Sequence, residues 1–319
     1  MRKTIFRTLF LIIACTLLYS CNMDDEPDQI DFKTTTALSV FVKDGKVGIS
    51  SLVNKNSNIF TEFWIDSTKS DLSGLTALLP AGNYFRTSIN DRYKASTVYK
   101  KTNGETVIYQ FPRNYTLYPD NQLFYFKGSE LMRMDTLALG AVHAVDAAQD
   151  EFFAGFFGRK SYAEYGAYLS PKSAFYWDGA DKITVLPMPN NYFYFNGVSC
   201  IHKSGSDVYV AGKMDFPMYW KNSEMVRLHE NYGEVNQIKV AGNDVYAVGF
   251  YNKKNSNSTN HTACYWKNGT LVELEDGAVA YSIFIDGNDI YTAGAKGRFN
   301  AEYKACYWKN GKRVMLKEQ

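Results

Sequence analysis

The sequence predicts an all-β fold, a β-propeller of four-stranded blades, and three observations lead to it. Ala263-Cys264-Tyr265-Trp266-Lys267-Asn268-Gly269 recurs letter for letter 42 residues later, from Ala305 to Gly311. Looser copies stand at Met218-Tyr219-Trp220-Lys221-Asn222 and Phe175-Tyr176-Trp177-Asp178-Gly179. Each copy follows a second repeated phrase, as in Asp289-Ile290-Tyr291-Thr292-Ala293-Gly294, Asp244 to Gly249 and Asp207 to Gly212. Finally, every phrase is a short run of Val, Ile, Tyr and Phe closed by Gly, Asn, Asp or Ser, the signal for strands joined by tight hairpins. A fixed period in the forties means one small unit that buries its apolar faces against its neighbours, and four strands per unit is the arithmetic of a propeller blade.

Residues 1–20 read as an export signal. Arg2, Lys3 and Arg7 give a positive start, and Leu9 to Leu18 an apolar run too short to span a membrane as a mature helix. The run ends Leu18-Tyr19-Ser20-Cys21, a bacterial lipobox with a bulkier residue than usual at Tyr19. Cys21 would then open the mature chain and carry its lipid, and several acyl chains together anchor a protein to a membrane permanently. Residues 21–31, with Asp24, Asp25, Glu26 and Asp28, form an acidic flexible tether.

Residues 32–319 form one propeller domain. Its first blade opens at Ala37 to Gly45, which aligns without gaps on Ala280 to Asn288, and Phe63-Trp64-Ile65-Asp66 stands where Tyr-Trp-Lys-Asn is expected. Phe124-Tyr125-Phe126-Lys127-Gly128 supplies the aromatic phrase of a divergent second blade, and Gly140 to Gly155 opens the third. Aromatic phrases at Trp64, Phe126, Trp177, Trp220, Trp266 and Trp308 give six blades. The 62 residues between Trp64 and Phe126, against 42 to 51 elsewhere, leave room for a loop insertion or a seventh blade. The Trp of each phrase should pack between adjacent blades. No repeated phrase shows the 3.6-residue apolar period of a helical solenoid.

The two phrases resemble repeats of a group of uncharacterised outer-surface lipoproteins of Bacteroidota-type bacteria, of the form A-x-Y-W-K-N-G-x-x-V-x-L followed by D-V-Y-x-A-G. The resemblance covers residues 174–316 well and 37–173 weakly; it implies a propeller and carries no activity. The acidic run after Cys21 resembles the export signal that sends such lipoproteins to the outer face of the outer membrane, so the expected location is that membrane, facing the exterior. Asp66-Ser67-Thr68 and Asp135-Thr136-Leu137 resemble the O-glycosylation sequon of exported Bacteroidota proteins, making Ser67 and Thr136 candidate acceptors. WD, Asp-box and kelch signatures match poorly.

Charge excludes one class of partner. The chain has 35 Lys and Arg against 33 Asp and Glu, and loss of the signal leaves 32 against 33. A nucleic-acid binder would show a basic excess. Cys264 and Cys306 occupy one repeat position on neighbouring blades, too far apart for a disulfide, and Cys200 falls in a first strand. His143, His202, His229 and His261 lie in different blades without metal-ligand spacing. No cofactor, metal or local catalytic motif is called for.

The remaining inference is topological. Turns between strands one and two and between strands three and four are short and repeated, whereas the loops on the opposite face vary over Phe156 to Ser173, Lys213 to Pro217, Phe250 to Thr262 and Ala295 to Lys304. Function concentrates on loops that vary over a rigid scaffold. Candidate binding residues are therefore Arg159, Lys160, Tyr162, Tyr165, Lys213, Asp215, Tyr251, His261 and Arg298, whose rings and charges suit a glycan, peptide or protein ligand. The leading expectation is a lipid-anchored binding or scaffold module. The alternative is a glycan-active hydrolase or lyase at the propeller axis; for it only Asp215, Glu164 and Glu302 are carboxylates on the variable loops.

Overall fold

The computed structural model describes residues 33–316 apart from 57, 67, 88–93, 113–122, 134–139, 149, 164–165, 181, 189–196, 255–260 and 298–302. Six antiparallel sheets follow one another along the chain. The first holds β1 (Lys33–Lys43), β2 (Lys46–Lys55), β3 (Asn58–Ile65) and β4 (Thr68–Ser70). The second has five strands: β5 (Asn83–Thr87), β6 (Lys94–Lys100), β7 (Thr106–Pro112), β8 (Phe124–Lys127) and β9 (Glu130–Arg133). The third comprises β10 (Gly140–Asp146), β11 (Phe152–Ala163), β12 (Gly166–Trp177) and β13 (Ile183–Val185). The fourth comprises β14 (Val198–Ser204), β15 (Asp207–Lys213), β16 (Pro217–Lys221) and β17 (Glu224–Arg227). The fifth runs β18 (Gly233–Ala241), β19 (Asp244–Asn252), β20 (His261–Lys267) and β21 (Thr270–Asp276), and the sixth β22 (Ala278–Asp286), β23 (Asp289–Lys296), β24 (Lys304–Lys309) and β25 (Lys312–Met315).

This is a six-bladed propeller. The long spacing after Trp64 holds a short helix, α1 (Leu72–Leu78), and the added strand β5, not a seventh blade. Asp71 caps α1, its carboxylate accepting from Gly74 N at 2.6 Å. The ring closes between complete blades: β1 packs on β22, β23 and β24. Thr35 N donates to Tyr303 O at 2.7 Å, and Ala305 N donates to Thr35 Oγ1 at 2.8 Å.

The repeated letters have physical roles. In the fifth blade Asn268 (φ 51°) and Gly269 (φ 83°) form a left-handed hairpin turn of the kind Asn-Gly favours. Asn268 Oδ1 accepts from Val245 N at 2.8 Å while its Nδ2 donates to Asp244 at 2.7 Å. Lys267 pairs with Asp244 at 2.7 Å and lies over the Tyr246 ring. The same latch recurs as Asp207–Lys221–Asn222 and Asp289–Lys309–Asn310. Asp66 (φ 55°) takes the Asn position in the first blade and accepts from Val47 N at 2.9 Å. D-x-Y and K-N are thus two halves of one tie between the turns of a blade.

The tryptophans fill the seams, as expected. Trp220, Trp266 and Trp308 are fully buried. Trp220 clusters with Ala154, Phe156 and Ala174 of the preceding blade, Trp266 with Tyr209 and Ala211, and Trp308 with Tyr246 and Val248. The Gly that closes D-x-Y-x-x-G sits where the innermost strand comes too close for a side chain: a Cβ on Gly249 would lie 1.8 Å from Glu234 O, and one on Gly294 2.1 Å from Val279 O. Cys264 and Cys306 pair in register with these two glycines. They and Cys200 are free, buried thiols.

Candidate functional site

The innermost strands of five blades carry a one-residue bulge at equivalent places, at Leu38, His143, Ser199, Asn236 and Tyr281. Bulges re-aim side chains and bend a strand. In four of these blades the residue after the bulge stitches its blade to the next. Cys200 Sγ accepts from Ile238 N at 3.0 Å, Gln237 Oε1 from Ile283 N at 2.6 Å, Ser282 Oγ from Val40 N at 3.4 Å and Ser39 Oγ from Arg86 N at 2.9 Å.

Strand β5 lies at the axis and runs against the other innermost strands. Its first residues, Asn83 and Tyr84, meet Lys239 and Gln237 in the later part of β18, whereas Arg86 meets Ser199 and Asn236 near the starts of β14 and β18. Arg86 Nη2 donates to the carbonyls of Ser199 at 3.1 Å and Asn236 at 3.0 Å, pinning the second blade to the fourth and fifth across the axis.

Two residues beyond the stitching position, towards the repeated-turn face, a chemically distinct layer appears. The equivalent residues of blades three to six are Asp146, His202, Lys239 and Phe284. Asp146 is buried and fully bonded. Its Oδ1 accepts from Tyr99 OH at 2.7 Å and Ala148 N at 3.1 Å; its Oδ2 accepts from Lys203 N at 2.7 Å and lies 3.0 Å from His202 Nδ1. Burial alone would raise this carboxyl, but the contacts of His202, Lys203 N–H and Tyr99 O–H outweigh it and hold the group below its ordinary value. Burial, reinforced by Asp146, pushes the Tyr99 phenol well up.

His202 keeps a fifth of its side chain exposed. Lys239 is half-buried; its ammonium donates to Asn83 Oδ1 at 2.5 Å and lies 5.0 Å from the centre of the Phe284 ring. Among the described residues no carboxylate reaches ion-pair distance of it. Burial pushes Lys239 down to about 8, with Asp146 offsetting only part of the effect. Tyr84 stacks on Tyr99 at 5.4 Å and its hydroxyl accepts from Gln237 Nε2 at 2.7 Å.

The expected variable-loop residues are placed differently. Arg159, Lys160 and Tyr162 lie on β11, which continues with β12 as a long hairpin where loops were expected, and Lys213 ends β15; these four side chains lie outside the described residues. Tyr165, Arg298, Cys21, Ser67 and Thr136 also lie outside the described residues. Asp215 is half-buried, and burial raises its carboxyl. Tyr251 is 5% exposed, with its hydroxyl on Glu273 and its ring 4.6 Å from that of His229. It belongs to the wall beneath the loop face. His261 is half-buried, 2.9 Å from Asn252 Oδ1 and packed on Phe250; burial lowers its pKa.

The axial layer was missed by reading motifs along the chain. Its signal is vertical: stacking the repeats puts Asp146, His202, Lys239 and Phe284 in one column whose chemistry changes from blade to blade, while the column just before it, Val145, Ile201, Ile238 and Ile283, stays apolar. Among the described residues no group of three His, Cys, Asp or Glu side chains gathers to hold a metal ion.

No family model matches the chain, and no curated protein matches it. Among solved structures it is similar to the computationally designed Ika8 protein, at 10% identity and a TM-score of 0.42, over 85% of this chain and 96% of that one. The propeller rests instead on strand order, pairing and ring closure.

Proposed function

We propose that this protein is a surface-anchored binding module of the Bacteroidota lipoprotein type, held to the outer membrane by lipid on Cys21 and presenting the variable-loop face to a glycan, peptide or partner protein. The observation that carries this reading is the contrast between the two faces. The turn face repeats one Asp–Lys–Asn latch in three blades, while the opposite face differs from blade to blade. A repeated, mutually tied face supports the fold; a varied one discriminates ligands. Arg159, Lys160, Tyr162, Tyr165, Lys213, Asp215, His261 and Arg298 are its proposed contacts, and Tyr251, Glu273 and Lys253 brace one another in the fifth blade.

A hydrolase would need two carboxylates about 5–10 Å apart. In the described axial layer the carboxylate is Asp146, whose oxygens are already taken by four partners. Binding is therefore the reading the geometry favours. Glycan and peptide arrays probed with the mature chain should give a ligand class whose retention falls when Lys213 and Arg159 are replaced together by Ala. Turnover of an arrayed glycan, with no ligand retained, would overturn the proposal.

A further inference from the structure

Even a partly buried ammonium is unfavourable unless something pairs with it. Lys239 has a neutral amide oxygen and an aromatic face for company, and the nearest carboxylate, Asp146, is committed elsewhere. Lysine carries three N–H donors, so two of its hydrogens remain for another acceptor. Beside it in the same layer, one blade back, stands His202. In the neutral imidazole, Nδ1–H donating to Asp146 leaves Nε2 as an acceptor, the arrangement by which a carboxylate fixes an imidazole tautomer. The Tyr84 hydroxyl accepts from Gln237 and still has its own hydrogen to donate. These groups occupy the end of the axis nearest the repeated turns, where His202, Asn83, Tyr84 and Lys239 all retain solvent access.

We infer that the turn-face end of the axis is a second binding site, separate from the loop face, for a hexuronate, the carboxylate-bearing sugar that ends or branches an acidic glycan. The sugar carboxylate meets the Lys239 ammonium and the Tyr84 hydroxyl, and a neighbouring ring hydroxyl donates to His202 Nε2. A neutral sugar lacks the charge that Lys239 requires. A bare carboxylate lacks the hydroxyl that His202 accepts. Arg86 stands deeper in the axis with its guanidinium on backbone carbonyls, so the anion is read by Lys239.

The test is calorimetric titration of the mature protein with glucuronate and galacturonate, set against glucose and acetate. At least one uronate should bind tenfold or more tightly than both controls. Lys239→Gln and His202→Phe should each weaken uronate binding at least tenfold, while Lys69→Gln, on the exposed outer strand of the first blade, leaves it unchanged. Thermal melts accompany each variant; should Lys239→Gln fail to fold, Tyr84→Phe takes its place and should weaken binding severalfold. No uronate binding, glucose or acetate binding as tightly, or undiminished binding by a folded Lys239 or Tyr84 variant would each overturn the inference. Array binding through the loop face survives all of these outcomes, so the two proposals fail separately.

Discussion

Replacing each seam tryptophan by phenylalanine separates packing from hydrogen bonding, because the three indoles differ in one respect. Trp220 Nε1 donates to Pro187 O of the preceding blade at 2.8 Å, and Trp308 Nε1 donates to Glu275 at 3.1 Å. Trp266 Nε1 is buried with no partner in the protein. Shrinking any of them to Phe removes one ring of apolar area, worth about 1–2 kcal/mol. At Trp220 the change also loses the hydrogen bond to the carbonyl of Pro187, an exposed residue, adding about 1 kcal/mol. At Trp266 it removes an unsatisfied donor and returns a similar amount. Trp266→Phe should therefore be nearly neutral and Trp220→Phe destabilising by about 2–3 kcal/mol. Trp308→Phe should fall between, since Glu275 keeps Lys296 and Arg313. Denaturant titration reads this as midpoint shifts at constant m-value. Trp266→Ala empties the whole site and should still cost about 3–5 kcal/mol. Equal losses for Trp266→Phe and Trp220→Phe would refute the assignment of their indoles, and a neutral Trp266→Ala would refute the seam itself.

Three further outcomes follow from other parts of the molecule. Asn268→Ala loses the side-chain hydrogen bonds to Val245 N and Asp244 that let Asn occupy the left-handed region at φ 51°, so about 2–3 kcal/mol is expected, and Asn268→Gly should recover about 1 of it by tolerating the angle without a β-carbon; equal losses in denaturant titration would exclude the conformational part. Lys239 is held down to about 8 against an ordinary 10.5, so the unfolded chain binds more protons between those values and stability rises with pH across them. Lys239→Met should raise the melting temperature at pH 7 and lose that advantage by pH 10; an advantage independent of pH would mean that charge burial is not its cause. Intact-mass measurement on protein from its native host should show glycan beyond polypeptide and lipid if Ser67 or Thr136 is modified, and a mass without it removes both sites.

Much of the architecture was legible because a propeller writes its local rules six times. The Asn turns, the Asp–Lys–Asn latch, the seam tryptophans and the glycine beneath them use the same residues in blades four to six, so they surface as repeated words. The second blade was harder to read: α1 and β5 interrupt the period, and β5 is held at the axis by Arg86 through contacts more than 110 residues away in sequence. The axial layer was hidden for a related reason. Asp146, His202 and Lys239 are each single letters in different repeats, and only closure of the ring makes them neighbours. Tyr251 misled because its phrase ends at a loop, while the strand β19 carries it on into the buried wall.

The most direct test of the surface-module account is to follow Cys21 in intact cells of a lipoprotein-exporting host. Radiolabelled palmitate should incorporate into the wild-type chain, and protease added outside the cells should digest the propeller. Cys21→Ala should take up no label and escape digestion as retained precursor. Palmitate in the Cys21→Ala protein, or a wild-type chain that protease reaches only after lysis, would contradict the account.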